Sequence, residues 1–361
     1  MLFSACKVKH ENGIGCTFSG MKRVLTFLFA SILLLNCDNT LYINDDYKVT
    51  PVVYGILDQN ADSQFVRLHR TYLGEEGIAA GFNEADSLYF DTATLYLKEL
   101  NQDGSQRNLW VMQEISAQMD SGVYTADQHR LYATNAPISA QYNYKLTGFI
   151  PGQDNFTATT PVVGDFDITK PKGFQKISFG IRDADFSWDA AKNAIIYQGY
   201  IIFRYKEAPR NNPLDSTIVE LVYALPMKTG TSTSGSGSFT TSLSYDAYFR
   251  FLRNNIGTST TMVRVFKGID VEVFAGADDL ATYINVNQPS TGIVQEKPLF
   301  TNVEGGIGLF SSRTSQRKVN VSLSASSLDS LWRGNLTCDM GWLDFQGIDS
   351  CICVNGEKVC F

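Results

Sequence analysis

The sequence predicts an all-β protein built as two β-sandwich domains, on three observations. Short runs in which apolar and polar residues alternate recur from Thr50 onward, separated by Gly, Pro, Asn and Asp turn signals. Aromatic residues are abundant, with 23 Phe and 17 Tyr, and these suit half-buried pleated surfaces better than exposed helix faces. The length of 361 residues, 44% hydrophobic, is enough to bury two cores of ordinary size.

Targeting signals precede the fold. Residues 21–37, MKRVLTFLFASILLLNC, begin with the basic pair Lys22 and Arg23 and continue through a short apolar run interrupted only by Thr26 and Ser31. That run is too short for a membrane-spanning helix, which needs ~20 apolar residues, and matches a secretory core. The stretch Leu34-Leu35-Asn36-Cys37 resembles a lipobox, with Asn36 where a small residue is usual, and Cys37 is the expected lipidation site. The alternative is an ordinary cleaved signal peptide or an uncleaved anchor, with Cys37 a plain thiol. Residues 1–20 lack apolar periodicity and lie upstream of a better start at Met21, so they read as a misassigned start or a discarded extension. Removing residues 1–36 takes away Lys7, Lys9, Lys22 and Arg23 against Glu11, making the exported chain more acidic than the −7 of the full sequence. Residues 37–47 form a tether carrying Asp38, Asp45 and Asp46. Acidic residues behind the lipidated cysteine resemble a surface-export signal in Bacteroidota lipoproteins, so cell-surface display is expected, with the periplasmic face as the alternative.

The first sandwich is placed at 48–165. VTPVVYGILD and QFVRLHR are strands either side of a polar turn, with Val66 and Leu68 inward and Arg67 and His69 outward. ATLYLKEL leads through the hairpin signal Asp103-Gly104 into RNLWVMQE, and YNYKLTGFI passes Pro151-Gly152 before NFTATTPVV. Antiparallel strands without intervening helices indicate a sandwich. FDITKPKG, residues 166–173, reads as a linker.

The second sandwich is placed at 174–325. Trp188 on one strand and Tyr200, twelve residues on at the start of the next, resemble the core of fibronectin type III domains, so both sandwiches are expected to be immunoglobulin/fibronectin III-like. TSTSGSGS, residues 231–238, is a flexible loop by composition. One inserted helix is expected at 244–256, where Tyr248, Phe251, Leu252 and Ile256 share a face, Ser244 caps the start and Gly257 the end. MVRVFKGIDVEVFAGA and ATYINVNQP read as further strands. Residues 326–361 form a cysteine-containing tail.

The helix reading AYFRFLRNN, then VRVFKGIDVEV, DDLATYINVNQP and LFTNVEGGIGLFSSR, together with VVYGILD and FVRLHRTYLG, resemble a family of Bacteroidota outer-membrane lipoproteins of unknown function, often encoded beside TonB-dependent receptors. The likeness spans residues 50–313 in scattered pieces, none of them a catalytic motif. It implies an outer-membrane location, a β fold and a TonB-dependent receptor as partner.

Residue types exclude several chemistries and leave others open. No clustered Lys/Arg face exists to bind nucleic acid. Cys338, Cys351, Cys353 and Cys360 in an exported chain read as two disulfides of open connectivity, with free thiols or a zinc site as alternatives; Cys351-x-Cys353 without a nearby His is poor spacing for zinc. The acid pairs Asp165-x-Asp167, Asp183-x-Asp185 and Asp278-Asp279 match no calcium loop and read as solvated turn acids, so neither metal nor cofactor is expected. His69 and His129 stand without a nucleophile motif. Trp110 and Trp188 are expected in the core, while Trp332 and Trp342 in the tail are the candidate ligand-contact residues. The expected function is therefore a non-enzymatic outer-membrane lipoprotein acting as an accessory or ligand-binding component of TonB-dependent uptake. A structural or adhesive surface protein is the alternative, and an exported glycan- or peptide-cleaving enzyme a more distant one.

Overall fold

Two long strands organise the protein, each shared between two layers. The computed structural model describes residues 49–71, 88–118, 128–180, 182–288, 299–344 and 347, plus the strands Cys351–Val354 and Glu357–Cys360; side chains are left out at 118, 128, 129 and in those last two strands. The lipobox with Cys37, the signal segment and the tether lie outside the described residues. With 49% of residues in strands and 12% in helices, the all-β sandwich expectation holds.

The first half contains β1 (Pro51–Asp58), β2 (Gln64–Arg70), β3 (Thr94–Leu100), β4 (Gln106–Gln118), β5 (Gln128–Thr134), β6 (Asn143–Phe149) and β7 (Phe156–Pro161). Strand β4 makes both layers: its first part pairs with β3 up to Met112, and its second part, Gln113 to Gln118, pairs with β5. One layer is then β5-β2-β1 and the other β3-β6-β7. Alternation sends Val53, Leu57, Val66, Leu68, Leu95, Leu97, Tyr144, Leu146 and Phe156 into one shared core. Phe156 packs across the sheet onto Gly148, where an added Cβ would lie 2.0 Å from the ring. His69 is half-exposed beside buried Leu68, as expected.

The second half starts with β8 (Ile168–Lys170) and β9 (Ala184–Asp189), and continues through β10 (Ile196–Pro209), β11 (Thr217–Ala224), β12 (Lys228–Thr229) and β13 (Ser238–Leu243). Helix α1 (Tyr245–Ile256), β14 (Met262–Gly276), α2 (Asp278–Asn287), β15 (Ile307–Val321) and α3 (Ala325–Arg333) follow, with β16 (Cys351–Val354) and β17 (Glu357–Cys360) last. A small sheet, β13-β9-β8, faces β11-β10-β14-β15 over a core rich in stacked rings. Phe179 stacks on Tyr248 at 4.0 Å, and Tyr197 lies 4.4 Å from Phe239.

Strand β15 joins the halves. Its first residues run parallel to β1, Val52 to Asp58 against Ile307 to Arg313, and the remainder pairs antiparallel with β14. The result is one 12-stranded sheet, and residues 49–361 form a single compact unit holding two apolar cores. Val303 and Phe310 belong to the first core, although they lie in the stretch assigned from sequence to the second domain. Gly308, at φ +122°, permits the parallel seam, since a Cβ there would lie 2.0 Å from the Val53 carbonyl oxygen.

Several local expectations are corrected. The proposed linker contains β8, with Phe166 and Ile168 buried, because it supplies an edge to the small sheet. The helix at 244–256 forms as expected, with the Ser244 hydroxyl accepting from Ala247 N and Gly257 ending it. Among the described residues two more helices are present, and residues 281–287, expected as strand, belong to α2. The tail is not peripheral through its first part. Helix α3 buries Leu328 and Leu331, and Met340 and Trp342 complete the second core. Arg264 N donates to Gly341 O at 2.8 Å and Leu343 N to Arg264 O at 2.9 Å, which lays this segment along β14.

Candidate functional site

An apolar groove of about 290 Å³ opens on the outer face of the large sheet, beneath α2. Its floor comes from β10 and β14. Odd positions of β10, Tyr197, Ile201, Phe203 and Tyr205, face the core, so Gln198 and Tyr200 face the opposite side beside Phe274 of β14. The register sets Ile196 opposite Gly276. Without a side chain at 276, Ile196 and Leu280 close over that point, since a Cβ there would meet each at 2.9 Å. Leu280 and Ile284 of α2, Met227, and Ile56 of β1 form the remaining apolar walls.

Helix α2 is fixed over this face by a small set of polar bonds. Ala277 N donates to Ser312 O at 3.0 Å. Asn302 Nδ2 donates to Asp279 Oδ2 at 2.9 Å and to Phe310 O at 2.7 Å, while Phe310 N donates to Asn302 Oδ1 at 2.9 Å. Burial pushes the Asp279 carboxyl above its ordinary range against the lowering effect of the Asn302 hydrogen bond. Tyr283 meets Tyr54 edge-on at 6.1 Å, continuing the apolar surface along β1.

Three polar side chains line the groove. Gln198 Nε2 is spent on Gly199 O and Leu225 O. Tyr200 is half-buried and edge-on to Phe274 at 5.9 Å. Arg313 lies over the Phe274 ring at 5.6 Å, and its side chain is 50% exposed. Asp58 approaches its guanidinium at 3.8 Å, beyond hydrogen-bond distance. The acid and base chemistry of the same sheet face is sequestered farther along: fully buried Asp270 accepts from Arg204 Nη2 at 2.6 Å, from Arg317 Nη2 at 2.7 Å and from Asn320 N at 2.9 Å.

A second, polar cleft of about 340 Å³ is bordered by Lys170, Lys176, Arg182, Asp183 and Asp185. Asp185 accepts from the Ser242 hydroxyl at 2.8 Å and from Lys170 Nζ at 3.3 Å, and these bonds, the serine first, hold its carboxyl below the usual range. Its charge is thus satisfied internally.

The residues singled out from sequence are not gathered into one site. Asp165 accepts from Gln59 Nε2 at 2.8 Å, Asp183 borders the polar cleft, and Asp278 and Asp279 begin α2. Among the described residues, no group of three or more His, Cys, Asp or Glu is placed to hold a metal ion. His69 accepts from Arg67 Nε at 2.9 Å and meets Tyr89 edge-on; the side chain of His129 lies outside the described residues. Cys338 is disulfide-bonded. Cys351 and Cys360 stand opposite each other in the β16–β17 hairpin, and the side chains of Cys351, Cys353 and Cys360 lie outside the described residues.

Of the two candidate contact tryptophans, Trp342 is 2% exposed and packs against Phe203 and Tyr205 at 5.7 and 5.4 Å. It is a core residue, because the tail pairs along β14 and turns it inward. Trp332 is half-buried against the same core. Trp188 is fully buried as expected, but its ring neighbour on the next strand is Tyr197, at 6.5 Å, and Tyr200 lines the groove instead. The period of two along β10 carried that information: Tyr197 and Tyr200 differ by an odd number and must face opposite sides. Phe274 and Arg313 had no comparable local signal, since their meeting depends on the pairing of β14 with β15.

No family model matches the chain, and no curated protein matches it. Among solved structures, it is similar to trypsin-activated alpha-2-macroglobulin from Escherichia coli, at 11% identity and a TM-score of 0.18, over 64% of this chain. The chain spans about 14% of that protein's length.

Proposed function

We propose that this chain is a lipid-anchored outer-membrane protein, displayed at the cell surface, that captures a small ligand without transforming it and serves as an accessory component of a TonB-dependent uptake system. The groove under α2 is the observation that carries the ligand-binding part. It is concave, mostly apolar, and furnished with a few converging polar groups, the usual make-up of a small-molecule site. The anchor rests on the lipobox-like run ending at Cys37, and the uptake partner on the resemblance to lipoproteins encoded beside TonB-dependent receptors.

One experiment tests anchor and partner together. Native protein is extracted from membranes under mild conditions, and both its intact mass and its co-purifying proteins are determined. A chain beginning at Cys37 with added acyl mass, accompanied by a TonB-dependent receptor, is the expected result. An unacylated chain removes the anchor. An acylated chain without a receptor removes the uptake role and favours the adhesive or spacer reading, for which the exposed apolar residues Tyr54, Phe65 and Ile115 on the outer sheet face would provide the contact surface.

A further inference from the structure

We infer that the groove takes a small amphipathic carboxylate, an aromatic or aliphatic body with one anionic end, and that Arg313 is the residue that selects the anion. This inference rests on the reading of the groove as a ligand site. The body is specified by the walls: Ile56, Met227, Phe274, Leu280 and Ile284 offer dispersion contacts and no hydrogen bonds. The groove, about 290 Å³ and open to solvent on one side, is of a size for a small ligand.

The charge is specified by Arg313. Among the described residues it is the charged side chain that lines the groove, so a cationic ligand meets repulsion there. Its guanidinium is oriented by the face of Phe274, and its N–H groups make no hydrogen bond among the described residues. Asp58 stands at 3.8 Å and does not line the groove, so it pairs with the cation electrostatically while leaving the planar fork of donors open. That fork fits the two oxygens of a carboxylate in parallel. Tyr200, on the floor beside Phe274, adds a hydroxyl that makes no hydrogen bond among the described residues. A single guanidinium beside apolar walls balances a singly charged head and would leave one charge of a doubly charged phosphate uncompensated.

The test is calorimetric titration of the purified full-length chain with 4-phenylbutanoate and with its neutral counterpart 4-phenylbutan-1-ol. Saturable binding of the acid is expected, with the alcohol tenfold or more weaker. Arg313→Gln, at a half-exposed position, should bring the acid down to the level of the alcohol, and Met227→Trp, which fills the groove from its 40% exposed wall, should weaken both. Circular dichroism establishes that each variant is folded. If acid and alcohol bind alike and Arg313→Gln changes neither, while Met227→Trp abolishes both, the groove remains a ligand site and the carboxylate inference is overturned. If neither ligand shows saturable binding, or Met227→Trp leaves binding intact, the groove reading falls and the inference falls with it.

Discussion

The two apolar cores lie along one continuous sheet but are closed by different means. The first is enclosed by strands on both sides, and a compact local set gathers on one buried acid: Glu99 accepts from Tyr144 OH at 2.7 Å and from Asn108 Nδ2 at 2.5 Å, and forms an ion pair with Arg107 Nε at 3.2 Å. In the second, the facing sheet has only three strands, and helices α1 and α3 with stacked rings fill what it leaves uncovered. Fully buried Asp270 ties β10, β14 and β15 together from their outer face. Among the described residues, Tyr248 OH and the Trp188 and Trp342 Nε1 atoms in the second core have no hydrogen-bond partner, and in the first half Thr147 Oγ1 has none. The first half pairs the Tyr144 hydroxyl with Glu99; in the second, Tyr197 OH accepts from Ala191 N at 2.8 Å, whereas the fully buried Tyr248 OH has no partner among the described residues.

The sharpest way to break this arrangement is Asp270→Ala. The carboxylate is fully buried and accepts from two arginines and a backbone N–H, so its removal leaves Arg204 partly buried without its anion and Asn320 N without an acceptor. Loss of one member of such a pair costs ~3–5 kcal/mol, discounted toward the lower figure because Arg317 is 40% exposed and can rehydrate. Denaturant unfolding followed by tryptophan fluorescence reads this, since Trp188 and Trp342 both lie in the second core. Next comes Gly308→Ala at the seam. The backbone sits at φ +122° with a carbonyl oxygen where the new Cβ must go, so β1 and β15 have to separate, at a cost of roughly 3 kcal/mol when strain and lost pairing combine. A second unfolding transition in Gly308→Ala, absent from the parent, would mean that the halves hold independently once unpaired; a single transition shifted to lower denaturant means the seam makes them one cooperative unit.

Much of this design was legible in the sequence, and the part that was not has a common physical origin. Alternation exposed β1, β2, β3, β6, β10 and β14, because period-2 burial is a local property. Helix α1 was legible because Ser244 and Gly257 mark its ends. Helix α2 was not: its N-cap is Ala277, which makes no side-chain capping bond, and its single buried residue is Ala281, so neither caps nor an apolar stripe announced it. The shared roles of β4 and β15 were also hidden, since a strand's sequence does not record that its two ends pair with different partners. The groove inherits that difficulty. Tyr200 could have been assigned outward by parity with Tyr197, but Arg313 reaches Phe274 only because β15 passes from β1 to β14.

A smaller effect separates two of the buried tyrosines, Tyr144 and Tyr248. Tyr144→Phe removes a donor to Glu99 and should destabilise by ~1–3 kcal/mol. Tyr248→Phe removes a hydroxyl with no partner among the described residues while keeping the ring stacked on Phe179, so it should be neutral or stabilise by up to about 1 kcal/mol. Opposite signs in the two variants' unfolding midpoints support the contrast between the halves, and equal losses would remove it. Alkaline titration gives an independent reading. Burial first, then the charge of Glu114 and a hydrogen bond to it, pushes Tyr132 up to about 12. Burial first, then the bond to Glu99, raises Tyr144 further, and burial alone raises Tyr248. Between pH 10, where these groups ionise in the unfolded chain, and about 12, the unfolded state binds fewer protons, so stability is lost as pH rises. Tyr248→Phe should therefore flatten the alkaline loss, whereas stability unchanged from pH 9 to 11.5 in the parent would contradict the burial of all three rings.

The smallest predicted effect concerns α1. The Ser244 hydroxyl accepts from Ala247 N at 3.2 Å, satisfying one of the amide donors that a helix leaves open at its start. Ser244→Ala should cost about 1 kcal/mol. The consequence should be confined to the second core, because α1 buries Tyr248, Phe249 and Leu252 there. Hydrogen exchange locates the loss: faster exchange in α1 and β9 with β6 and β7 unchanged is the expected pattern. Equal acceleration in β6 would mean that β15 transmits even a small local loosening across the seam, and that the two cores, though closed by different means, open together.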